Sequence, residues 1–117
     1  SSSGVVASDT SGVGTVRGGL DCAAYGGDKA IFAYGDPAST NLVSNTGVVA
    51  ANVTSVGTYP REGIGATNYG GDKAIFFAGS GTGVSNLVSN SGVVAADVAR
   101  VGSIRQNVTG AGYSFNA

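Results

Sequence analysis

The side chains that could carry acid–base or nucleophilic chemistry are few. There are seven carboxylates, six cationic groups, one thiol and no histidine. Without histidine, the Ser-His and Cys-His arrangements that activate a nucleophile are excluded, as are metal sites built on His or several Cys. Glu62 is the one glutamate, and six aspartates are spread along the chain, so a glycosidase-type carboxylate pair would need the fold to assemble it. Cys22 is the sole cysteine; no intrachain disulfide can form, and it reads as a small packed hydrophobe.

Three further sets have spacings that invite chemistry. Arg17, Arg61 and Arg105 lie 44 residues apart. Three guanidinium groups at one repeated position suit an anionic ligand, or hydrogen bonding to backbone carbonyls between repeats. Asp28 and Asp72 occupy identical Gly-Gly-Asp-Lys turns, where they would hold cations or accept from turn amides. The most varied connections gather Tyr34, Asp36, Tyr59, Arg61 and Glu62 as the candidate ligand-binding face. Tyr beside carboxylates and guanidiniums suits carbohydrate. Asn52-Val53-Thr54 and Asn107-Val108-Thr109 fit the glycosylation acceptor pattern. No catalytic residue, metal or cofactor is implied.

The elements that must position these residues come from a repeat. Tyr25-Gly-Gly-Asp-Lys-Ala-Ile-Phe32 recurs unchanged at Tyr69 to Phe76, an offset of 44. Asn41 to Val53 recurs at Asn86 to Val98 with 11 of 13 residues identical. Ser3 to Ala7 opens a further partial copy. The reading is a single repeat domain over 1–117: partial repeat 1–15, repeats 16–58 and 59–103, and terminal partial repeat 104–117. Each period divides into four short segments, a to d. They are separated by Gly26-Gly27-Asp28, Asp36-Pro37 and Asn45-Thr46-Gly47 or their equivalents, which is turn chemistry between short strands. Segment b (Ala30 to Tyr34, Ala74 to Ala78) is apolar on both parities, as in a strand covered on both faces. Ile31, Phe32, Ile75 and Phe76 are therefore the expected core. With Gly at 21 of 117 residues and no 3.6-residue period, the expected class is all-β, with four antiparallel strands per repeat.

VRGGLDCAAYGGDKAIFAYG (Val16 to Gly35) resembles the blade of a kelch β-propeller: Arg-x-x-Leu, small residues, Gly-Gly, a short apolar strand, Tyr-Gly, then a polar strand. The words YGGDKAIF and NLVSNTGVVA are similar to repeat proteins of marine viral and metagenomic origin whose function is unassigned. The resemblance implies a kelch-like propeller of 44-residue, four-stranded repeats and a non-enzymatic binding or structural role, on a virion or outside a cell. A glycan-binding, lectin-like propeller is the alternative within binding. An enzyme whose carboxylates meet only in an oligomer is the alternative from another class.

A net charge of −1 with scattered basic residues offers no phosphate-tracking stripe, so nucleic acid is not an expected partner. The longest apolar run, Ala74 to Ala78, is far below the ~20 residues of a membrane helix, and no membrane insertion is expected. The chain does not begin with Met, which suggests a processed terminus or a piece of a longer protein. At 44 residues per repeat it holds about 2.7 repeats (117/44), whereas propellers close with about 4 to 8 blades. The expected partner is therefore the chain itself, as a homo-oligomer joined through its terminal strands. The secondary-structure expectation is directly measurable: far-UV circular dichroism should show strand and turn, with no helical double minimum.

Overall fold

A computed structural model describes residues 2–113. It is all-β, with six strands: β1 (Asp21–Tyr25), β2 (Lys29–Tyr34), β3 (Ser39–Val43), β4 (Gly65–Tyr69), β5 (Lys73–Phe77) and β6 (Ser85–Val88). No described residue is helical, so none lies in a helix able to cross a membrane. The strands form two antiparallel three-stranded sheets, β1-β2-β3 and β4-β5-β6. Sheet 1 is thus made by one repeat and sheet 2 by the next.

The Gly-Gly turns explain the hairpins. Tyr25 pairs with Lys29 and Tyr69 with Lys73. Gly26, Gly27, Gly70 and Gly71 turn the chain with φ between 62° and 84°, a region that side chains disfavour. At the far end of the hairpin, Tyr34 (φ 64°) and its counterpart Ala78 (φ 61°) are themselves left-handed. A non-glycine residue pays for such a backbone with contacts elsewhere, and those of Tyr34 are described below.

Register assigns each sheet two faces. Cys22, Phe32 and Asn41 lie opposite one another in sheet 1, as do Ala66, Phe76 and Asn86 in sheet 2; these are the Phe faces. The rows Ala23–Ile31–Leu42 and Thr67–Ile75–Leu87 define the Ile faces. The core forms where the Ile face of sheet 1 (Tyr25, Ile31, Ala33, Leu42) meets the Phe face of sheet 2 (Ala66, Ala74, Phe76, Val88). Two inter-repeat bonds hold the sheets in place, Gly26 N–H to Asp72 O at 2.6 Å and Gly35 N–H to Arg61 O at 2.8 Å.

This stacking corrects two expectations. Of the four core residues read from segment b, Ile31 and Phe76 are fully buried, whereas Phe32 is 37% exposed and Ile75 only half-buried. Strand side chains alternate between faces; among the described residues no sheet lies on the Phe face of sheet 1, and the Ile face of sheet 2 meets the Arg105 guanidinium, 5.0 Å from the centroid of the Phe77 ring, and the segment 108–113. That segment is held by Arg105 O, accepting from Gly79 N–H at 3.1 Å, and by Val108 N–H, donating to Gly63 O at 3.0 Å. It leaves a cavity of about 220 Å³ against Thr67, Ile75 and Phe77.

The fourth strand is also reduced. Segment d meets β3 at the bridges Thr40–Val53 and Val43–Val49, with Ala50 N–H donating to Leu42 O at 2.9 Å between them, and meets β6 at Ser85–Val98 and Val88–Val94, with Ala95 N–H donating to Leu87 O at 2.8 Å. Between the two bridges of each pair, segment d holds one residue more than its partner strand, which is the signature of a β-bulge. A bulge breaks the ladder and re-aims a side chain; here that side chain is Asn52 or Asp97.

The identical words YGGDKAIF should therefore respond differently to the same mutation. Phe76→Ala is expected to cost about 3–5 kcal/mol. Phe32→Ala in dilute solution should cost about 1 kcal/mol or less, as at a partly exposed site. Urea denaturation of the two variants checks this.

Candidate functional site: a repeated arginine ladder

The bulge, the two hairpins and the linker before each repeat converge on one arginine. In sheet 2, Arg61 Nη1 donates to Val84 O at 3.2 Å and Nη2 donates to Asn86 Oδ1. Asn86 Nδ2 in turn donates to Ala95 O at 3.1 Å and to Asp97 Oδ1 at 2.9 Å. Asp97 then accepts from the Thr58 amide at 3.1 Å and from its hydroxyl at 2.6 Å. Sheet 1 repeats the arrangement. Arg17 donates to Tyr34 O, Ser39 O and Asn41 Oδ1; Asn41 Nδ2 donates to Ala50 O and Asn52 Oδ1; Asn52 Nδ2 donates to Thr15 Oγ1 at 2.8 Å. Segments a, c and d and the preceding linker are thus tied by one chain of side chains in each repeat.

The two ladders differ in charge as their burial requires. Arg61 has no exposed surface, while Arg17 is half-buried, and desolvation lowers the pKa of both. Neither forms an ion pair among the described residues. The more buried cation is the one whose ladder ends on a carboxylate, Asp97; the ladder of Arg17 ends on the amide of Asn52. Donors from Thr58, and then Asn86, hold the Asp97 carboxyl below its ordinary value.

Arg61 also joins the repeats. Its guanidinium lies 4.1 Å from the centroid of the Tyr34 ring, a buried cation–π contact worth about 2 kcal/mol. The same ring meets Phe76 edge-on at 5.4 Å, and the Tyr34 hydroxyl donates to Val56 O at 2.9 Å. These contacts hold Tyr34 in its left-handed backbone, and burial raises its pKa.

The five residues of the candidate ligand face do come together, since Gly35 pairs with Arg61 and Asp36 with Gly18. They do not form one surface. Tyr34 and Arg61 are fully buried, with the guanidinium committed to backbone and Asn86. Asp36 and Glu62 are exposed. Tyr59, 54% exposed, lines an open cleft of about 330 Å³ with Thr15, Pro37, Ser39 and Ser55. Asp28 and Asp72 work within turns: each pairs with the adjacent lysine and accepts from the c–d turn, Asn45 to Asp28 at 2.9 Å and Asn90 to Asp72 at 3.2 Å. Cys22 is exposed on the Phe face of sheet 1. Asn41, Asn86 and Asp97 were absent from the sequence-derived site. Their signal was the 45-residue recurrence of Asn41 and Asn86, which reads equally well as a polar strand.

The depressed Asp97 carboxyl gives a pH prediction. Its folded pKa lies below the unfolded value of about 3.9, so its contribution is present above that value and is lost as pH falls through it toward the folded pKa. Asp97→Asn should fold, as Asn52 does in the sister ladder. It should melt lower than wild type at pH 7, with the difference shrinking between about pH 5 and pH 3. Asp28 and Asp72, depressed chiefly by their lysines, keep part of the acid sensitivity in the variant. Melting temperatures across this range decide it.

Compared with protein-family models, curated proteins and solved structures, the chain matches none.

Proposed function

We propose that this chain is a non-enzymatic structural repeat module, a set of kelch-like blades that builds a propeller-type ring with further repeats of the same kind. One observation carries the reading: the Ile face of one repeat is closed by the Phe face of the next, with Arg61 and Tyr34 clamped across the junction. An interface between unlike faces of like units can be repeated indefinitely. The chain's polar machinery supports the same role, because its buried arginine is spent on holding segments together. The likeness of YGGDKAIF and NLVSNTGVVA to viral and metagenomic repeat proteins supports a place on a virion or outside a cell. A glycan-binding role draws no comparable support, since two of its five candidate residues are buried in the ladder and its aromatic clamp.

The reading is tested by repeat number alone. A single polypeptide carrying six of these 44-residue repeats is within the range of about 4 to 8 blades in which propellers close. It should be a compact monomer that melts cooperatively and well above the two-repeat chain. An extended or aggregating six-repeat chain, with no gain in melting temperature, would remove the ring.

A further inference from the structure

Both ends of the two-sheet stack show faces that are closed one repeat away. On the Phe face, Phe32 is 37% exposed where Phe76 is 0%, and Cys22 is exposed where its counterpart Ala66 is 8%. On the Ile face, Tyr69 is 37% exposed where Tyr25 is 4%, and Leu87 is exposed where Leu42 is half-buried. The two open faces are the same pair that the chain already joins internally. Their natural complement is each other, on two copies.

The termini show how such a contact would form. Residues 3–25 align with residues 91–113 at a constant offset of 88, with 11 of 23 positions identical. Several of the matches fall on residues that fasten segments d and a. Val6 matches Val94, which bridges to β6, and Asp9 matches Asp97, which ends the Arg61 ladder. Gly14 matches Gly102, Arg17 matches Arg105, and Tyr25 matches Tyr113. Yet in this fold Val6 and Val16 are 92% and 94% exposed, and Asp9 is exposed. The C-terminal copy of the motif covers the Ile face of sheet 2 with a single segment, whereas the N-terminal copy is continuous with β2 and β3.

We propose that residues 3–25 of one copy displace residues 91–113 of a second copy, so that Asp9 takes the place of Asp97 on Asn86 and Thr58, β1 takes the place of residues 109–113, and the attached β2 and β3 close the Ile face of sheet 2. The exchange replaces Val94 by Val6, Asp97 by Asp9 and Arg105 by Arg17, puts Thr10 for Val98 and Leu20 for Val108, and adds the burial of Phe32 against Ile75 and Leu87. It is head-to-tail, so every copy keeps one acceptor and one donor end. Such contacts propagate until a ring closes. This rests on the serial packing proposed above, and it names the partner: a second copy of this chain.

The test uses the full chain and pairs of variants. Phe32→Arg blocks the donor end and Leu87→Arg the acceptor end. Both side chains are exposed, so the fold should survive, as circular dichroism will show; Ala24→Arg, also exposed on the Phe face, is the second donor-end variant. By light scattering the wild type should rise with concentration from 11.3 kDa to a multiple of it. Each variant alone should stay monomeric, and an equimolar mixture of Phe32→Arg and Leu87→Arg should give a heterodimer, because one intact interface remains. In the assembly Cys22 should react with a disulfide reagent more slowly by about tenfold at the least, since a buried thiol reacts only through opening. Tryptic cleavage at Arg100 and Arg105, in the displaced segment, should speed up. A wild type that is monomeric at every concentration, a mixture that does not associate, or an assembly in which Cys22 stays reactive overturns the proposal. So does association with no change in cleavage at Arg100 and Arg105, which would mean stacking without exchange. In any of these cases a six-repeat chain that closes leaves the module standing, and one that does not removes the module itself.

Discussion

A guanidinium taken wholly out of water, with no ion pair to receive it among the described residues, is the constraint on which the rest of this fold depends. Desolvating a charge costs several kcal/mol unless hydrogen bonds recover it, and charge-assisted bonds return about 1.5–3 kcal/mol each. Arg61 finds its acceptors at Val84 O and Asn86 Oδ1 and its third contact on the face of Tyr34. Each of these must be held still to be useful. Asn86 is held by Ala95 O and Asp97, Asp97 by Thr58, and Tyr34 by Phe76 and Val56 O. The ladder therefore specifies the bulge in segment d, the position of the linker and the left-handed corner at Tyr34 together.

The apolar contacts share this logic of directed joining. Small side chains dominate the sheets, and the buried set is short: Tyr25, Ile31, Tyr34, Ile64, Phe76 and Val88 with a few alanines. Such a core is modest for a chain of this length. It resides between repeats, so a single repeat has little to bury by itself. Stability in such arrays comes from neighbour interfaces. In the array proposed above an end repeat is incompletely covered by construction, and the exposure of Phe32 and Leu87 agrees with that deficit.

This also bears on chemistry. A site that binds or transforms a ligand usually leaves polar groups aimed at a cavity. Here the two repeated arginines face inward and meet backbone carbonyls and asparagine side chains, whereas the buried hydroxyls of Ser39 and Ser55, two residues of the cleft beside Tyr59, have no hydrogen-bond partner among the described residues. Asp28 and Asp72 join neighbouring turns, and Asn52 supports the Arg17 ladder with the same amide nitrogen that a glycan would occupy. The side chains that vary between repeats, Asp36, Tyr59 and Glu62, are those left at the surface.

The sequence by itself determined the period, the strand-and-turn class, the hairpins at Gly-Gly-Asp-Lys, and a backbone-bonding role for the repeated arginine as one of two readings. These are local or translational properties: a left-handed Gly-Gly turn needs no neighbour, and a recurrence is visible without coordinates. Only the tertiary structure decided which of Ile31 and Phe32, or Ile75 and Phe76, is core. The eight-residue word around them is the same in both repeats, so no local rule can separate Phe32 from Phe76. Their difference is set by which face has another sheet upon it. The bulge was hidden for the same reason. NLVSNTGVVAANV reads as two strands and a turn, and its extra residue has meaning only once Asn52 and Asp97 have an asparagine, itself bound to an arginine, to reach.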